Sequence, residues 1–135
     1  MSTVFRAQGI VTVHDQVVSL VAQRWAKAFH CKVTIHTSLE QNPWADPQQR
    51  CDIVGWQVTS AGNTMAWMAE VETSESIRDA ETVSGWKKAV VRGIPFYLVV
   101  PRGLKESVQK LAADACVPFS GIYEYTFVND LCQVL

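Results

Sequence analysis

Apolar and polar positions alternate along this chain with two distinct periods, and the period changes mark the expected elements. Over residues 14–29, Val17, Leu20, Val21, Trp25, Ala28 and Phe29 recur at helical spacing. Asp15 suits the positively polarised start of that helix. KVTIH (32–36) reads as a short strand, followed by a polar loop containing Pro43 and Pro47. Residues 52–58 and 65–73 are strand-like runs flanking TSAGN, a turn sequence, and together predict a hairpin. A second helix is expected over 76–92, opened near a serine and stopped by Gly93 and Pro95. The continuous apolar run 96–100 predicts a strand buried on both faces, as parallel strands are. Leu104, Val108, Leu111, Ala112 and Ala115 predict a third helix over 104–115, and residues 122–128 a last strand. The order α-β-β-β-α-β-α-β implies an α/β fold: a strand meander, then crossover helices, giving a mixed sheet with helices on both faces.

Composition narrows the class. At 135 residues the chain is expected to form one domain, 1–135, burying roughly two-thirds of its unfolded surface. Its 48% hydrophobic and 19% charged content is that of an ordinary globular protein. Cys31, Cys51, Cys116 and Cys132 are too far apart for a CxxC metal or redox pair and read as reduced residues of an intracellular protein. No apolar run approaches the ~20 residues of a membrane span, and no signal-like segment opens the chain, so a cytoplasmic location is expected. The net charge of −1 argues against a stand-alone DNA binder, whose affinity rests on neutralising phosphates. Any basic surface must be local. Arg78, Lys87, Lys88, Arg92, Arg102, Lys105 and Lys110 supply it in the second half, and a solvated helix surface accounts for most of them.

Candidate chemistry lies in the hairpin. Asp52 opens its first strand, and Glu70 and Glu72 lie on its second. A hairpin folded about Gly62 sets Asp52 opposite Glu72 and Val54 opposite Glu70, so all three carboxylates share one face. A slip of one residue would send Asp52 to the other face. At ~5 Å and an effective dielectric of ~20, each like-charge pair repels by roughly 3 kcal/mol. A divalent cation or a nearby lysine relieves that repulsion most directly.

With CDIVGW and AEVE on consecutive strands of such an order, the sequence resembles the PD-(D/E)xK nuclease superfamily, the restriction-endonuclease-like fold. That family's core is αβββαβ, with an Asp beginning the second strand and a (D/E)-x-K pair on the third; here a C-terminal helix and strand are added. The resemblance spans residues 14–128. Two positions depart from it: Cys51 stands before the motif Asp in place of proline, and Glu72 stands at the lysine position.

The resemblance implies a Mg²⁺- or Mn²⁺-dependent endonuclease hydrolysing nucleic-acid phosphodiesters, with DNA as the expected partner. Asp52, Glu70 and the Val71 carbonyl would bind the metal. Glu72 would either complete the shell or act as general base. A replacement lysine is sought on the following helix, where Ala80, Val83, Val90 and Val91 define an apolar arc that includes Lys87 and excludes Lys88. Lys87 either reaches Glu70 or Glu72 or snorkels to solvent. Trp86 borders that arc as a packing residue. His14 and His30 read as surface or cap residues, His36 as a group beside the cleft, Ser74 and Glu75 as caps, and Gln23 or Arg24 as approaches from the first helix. Many superfamily members act as dimers or in larger assemblies. The loss of the motif lysine equally suits a catalytically inactive member serving as a nucleic-acid-binding or protein-interaction module.

Overall fold

The structure is a computed structural model and describes residues 4–6, 9–36 and 51–135. The loop carrying Pro43 and Pro47 lies outside the described residues. The first helix, α1 (Val13–Ala28), starts where Thr12 accepts a hydrogen bond from Asp15 N at 3.2 Å. Asp15 occupies its first turn, as the helix dipole favours. Two short antiparallel strands precede it, β1 (Val4–Arg6) and β2 (Gly9–Val11), and neither has a legible sequence period at three residues.

After α1 come β3 (Lys32–Ile35), β4 (Ile53–Thr59) and β5 (Gly62–Val71), paired as an antiparallel meander. A crossover through α2 (Ala80–Val90) leads to β6 (Phe96–Pro101), parallel to β5. A second crossover through α3 (Lys105–Asp114) leads to β7 (Gly121–Val128), parallel to β6. The chain then turns back as β8 (Leu131–Val134), antiparallel to β7. The turn is Asn129-Asp130, both with positive φ (52° and 63°), the conformation that two-residue hairpin turns demand and that these residue types tolerate. The sheet order is therefore β3-β4-β5-β6-β7-β8, a mixed six-stranded sheet.

The second helix differs from its expected span. Residues 76–78 form a separate 3₁₀ turn, and α2 starts only after Asp79, whose side chain accepts from Glu81 N at 3.0 Å. Ser76 does not serve as the cap because its hydroxyl is bonded to Glu72. Asp79, one of the strongest N-cap types, takes the start instead.

Each face of the sheet has its own core. Val17, Val18, Val21 and Ala22 of α1 cover Ile53, Trp67, Ala69, Val71, Val99 and Tyr125. On the other face, Trp86 and Ala89 of α2 and Val108 and Ala112 of α3 cover Val54, Met68, Phe96, Leu98 and Val100. Helices thus flank both faces, as the element order implies. From Met68 onward the even-numbered positions face α2 and α3, which sends Glu70, and Glu72 just past β5, to that side.

The register differs from the expected one. Pairing from Thr59↔Gly62 to Trp56↔Met65 is followed by a bulge at Gly55/Trp56, after which Gly55 pairs with Trp67 and Ile53 with Ala69. Asp52 therefore comes level with Glu70, not Glu72. Without the bulge, the turn-proximal register would set Asp52 against Ala69, on the wrong face. Ala66, the extra residue on β5, restores the parity that brings the carboxylates together. Gly55 is required beside the bulge, because a Cβ there would stand 2.2 Å from Cε2 and Nε1 of the Trp67 indole.

Candidate functional site

The cluster forms where the start of β4 meets the end of β5, under α2. Asp52 and Glu72 are buried, and Glu70 is partly buried between them. Asp52 N donates to Glu70 Oε1 at 3.1 Å, as their level positions dictate. Asp52 Oδ2 accepts from Val71 N at 2.8 Å and from His14 Nε2 at 3.0 Å. The other ring nitrogen of His14 lies 3.1 Å from Asp15 Oδ1. An imidazole between two carboxylates donates to both only when protonated. Burial pushes the His14 pKa down, but the hydrogen bonds and charges of Asp52 and Asp15 outweigh it and raise it to about 9.

Glu72 is held differently. Its Oε1 accepts from Ser76 Oγ at 2.9 Å and its Oε2 from Trp86 Nε1 at 2.8 Å. Its backbone carbonyl accepts from Tyr125 Oη at 3.1 Å. Burial raises the Glu72 pKa, and the Trp86 and Ser76 bonds oppose that rise. For Glu70 the Asp52 N–H bond is the opposing contact, and it is outweighed. Burial, then the charges of Asp52 and Glu72, push its pKa well above the ordinary carboxylate range. Burial and the nearby Glu70 push the Cys51 thiol up as well, so it stays protonated.

An open cleft of about 700 Å³ adjoins the cluster, with Cys51, Glu70 and Glu72 on its floor and Glu81, Gly85, Lys88, Ala89 and Arg92 of the α2 side around it. Lys87 is exposed and is not among the residues lining this cleft; Lys88 is. The difference lies in the phase of α2. Its buried residues are Trp86 and Ala89, whereas Val91, taken as part of the apolar arc, is 80% exposed. With Trp86 turned onto the sheet, Lys87 lies ~100° to one flank. Lys88 and Arg92 lie on the other, toward the carboxylates.

The remaining expected residues fall as follows. His36 touches the cluster through its backbone, its N–H donating to Asp52 O at 2.9 Å. His30 ends α1 with φ of 50° and lines a smaller pocket with Phe29, Lys32, Trp56 and Trp67. Gln23 and Arg24 are exposed on α1. Val71 contributes its N–H to Asp52, while its side chain packs in the α1 core. Ser76, two residues past Ser74, is the serine that engages the motif strand. His14 and Ser76 escape a reading by motif: each is joined to the cluster by folding, and only the adjacency of His14 to Asp15 hints at a charged role.

The donor set bears on metal binding. Among the described residues, no group of three or more His, Cys, Asp or Glu side chains is placed to hold a metal ion. Both oxygens of Glu72 already accept hydrogen bonds, from Ser76 and Trp86. Asp52 and Glu70 remain a fitting pair for a hard cation that takes one or two carboxylates and fills its shell with water and phosphate oxygens. No helix among the described residues is long and apolar enough to cross a membrane. Comparison of the chain with protein-family profiles, curated proteins and solved structures finds no match.

Proposed function

We propose that this chain is a metal-dependent, nuclease-like protein acting on nucleic-acid phosphodiesters, with a restriction-endonuclease-like core. The succession α1-β3-β4-β5-α2-β6 follows that family's αβββαβ order, with Asp52 leading the second core strand and Glu70 on the third. One observation carries the reading. Glu70 lines an open cleft and is joined to Asp52 beside it, and burial together with the Asp52 and Glu72 charges favours a proton or a cation on its carboxyl.

Asp52 and Glu70 would hold one Mg²⁺ or Mn²⁺. Bound there, the metal would supply a Lewis acid for the phosphate and a water of lowered pKa. His14 and Val71 N–H fix the orientation of Asp52, so the carboxylate is preorganised. Glu72 anchors Trp86 and so positions α2 over the cleft, a role distinct from general base. Lys88, and not Lys87, lines the cleft and brings a positive charge to its α2 side.

A second reading draws on the same glutamate. With Glu72 at the lysine position and both its oxygens engaged, the fold also suits a catalytically inactive module that binds nucleic acid or a protein. Calorimetric titration of Mn²⁺ separates the two. Micromolar-range binding that is lost in Asp52→Ala and in Glu70→Ala, with metal-dependent cleavage of DNA, supports the nuclease. Absence of Mn²⁺ binding to the wild-type protein overturns it in favour of the module.

A further inference from the structure

Gly85 stands in the interior of α2 for no reason that the fold supplies. Its φ is not positive, and nothing lies within 4 Å of where a Cβ would be. Glycine is the worst helix former after proline, and an alanine would fit the space and favour the helix. Yet Gly85 lines the cleft, and the residues three and seven positions on, Lys88 and Arg92, line it too. Gly85 and Lys88 lie on one helix face, and Arg92 follows two residues past the end of α2. The α2 wall of the cleft is therefore bare backbone at Gly85, with Glu81 one turn before it and the cations Lys88 and Arg92 after it.

We infer that this Gly85-Lys88-Arg92 face seats the sugar–phosphate backbone of one nucleic-acid strand, which runs along α2 above Asp52 and Glu70. The inference rests on the nuclease reading and names the part of the protein that positions its substrate. Three observations favour a polyanion over an uncharged ligand. Lys88 and Arg92 both line the cleft and bring two cations to one end of its α2 wall. Glu70, Glu72 and Glu81 also line the cleft, so a metal-free anion is drawn to the Lys88 and Arg92 end of its α2 wall. The missing Cβ at Gly85 lets a sugar ring approach the helix more closely than any side chain would allow. Lys88 and Arg92 are positioning residues here: they hold the strand and take no part in bond cleavage.

The test is fluorescence anisotropy with a labelled single-stranded oligonucleotide and its duplex, without metal and then with Mn²⁺, over a series of salt concentrations. Lys88→Ala and Arg92→Ala should each weaken binding severalfold and lower the salt-dependence slope by about one. Gly85→Leu should abolish binding while the thermal transition persists. Gly85→Ala gives the sharpest sign: Tm rises while affinity falls, an opposition that a merely structural glycine cannot produce. Arg92→Lys, which keeps the charge, should retain most of the affinity and controls for any packing role of Arg92. Unchanged binding in Gly85→Leu and Lys88→Ala overturns the inference. Mn²⁺ titration of the same variants keeps the two proposals apart. Lost oligonucleotide binding with wild-type Mn²⁺ affinity supports the α2 face. Absence of Mn²⁺ binding in the wild type removes the catalytic reading, and the metal-free anisotropy then still decides the seating of the strand.

Discussion

His14 Nε2 donates to Asp52 Oδ2 at 3.0 Å, tying the first turn of α1 to the residue that opens β4, 38 positions later. While His14 is protonated, the contact gives the acidic cluster a counter-charge from the opposite side of the sheet. It also makes stability depend on pH with a definite sign.

His14 is raised from 6.5 to about 9 in the folded chain, so its contribution is complete below about pH 6.5. That contribution declines as pH rises and is gone above about pH 9. By linkage it amounts to about 3 kcal/mol at most. Glu70 and Glu72, also raised, act in the same direction: each favours the folded chain less as pH climbs above the ordinary carboxylate range. Urea unfolding should therefore show stability falling from pH 6 to pH 9. His14→Gln should be less stable than wild type at pH 6 and close to it at pH 9. An unchanged gap between the two across that range would refute the assignment.

Gly55→Ala should destabilise the protein by about 1–3 kcal/mol, the usual cost of forcing an extra group into a packed core. The added methyl would meet the Trp67 indole, itself packed against Trp25 and Phe29. Chemical denaturation measures the loss, and Trp67→Leu in the same chain should recover part of it. A Gly55→Ala protein as stable as wild type would mean that the indole moves aside freely.

Trp86→Phe removes the N–H that Glu72 Oε2 accepts while keeping most of the buried ring. Hydrogen bonds to charged groups contribute about 1.5–3 kcal/mol, and the cost of leaving a buried acceptor unpaired is part of the loss. A loss of about 2 kcal/mol is expected in urea. The Trp86→Phe/Glu72→Leu pair should cost less than the sum of the single changes, because both remove one contact.

Glu72→Gln should leave Mn²⁺ affinity within a few-fold of wild type, whereas Asp52→Ala and Glu70→Ala should abolish it. The engaged oxygens of Glu72 make it an anchor for α2 and leave the cation to the other two carboxylates. Titration calorimetry on the three variants decides this. Equal loss in all three would restore Glu72 as a ligand.

Much of this architecture follows from local pattern. The helical spacing of Val17, Val21 and Trp25, the apolar run 96–100 and the spacing of Val108 and Ala112 each mark an element without reference to the rest of the chain. So does the shared face of Glu70 and Glu72, since strand alternation is a property of the backbone itself. The mixed sheet with helices on both faces follows from the element order.

Tertiary structure decided what periodicity leaves open. A turn sequence does not reveal a bulge several residues away, so the level pairing of Asp52 with Glu70 emerged only when β4 closed on β5. The phase of α2 depended on which flank the sheet covered; burial of Trp86 turned Lys88 and Arg92 toward the cleft and Lys87 away from it. His14 and Ser76 joined the site through folding, His14 from far along the chain. Local sequence determined which residues face the same way; contacts between distant segments determined which of them meet.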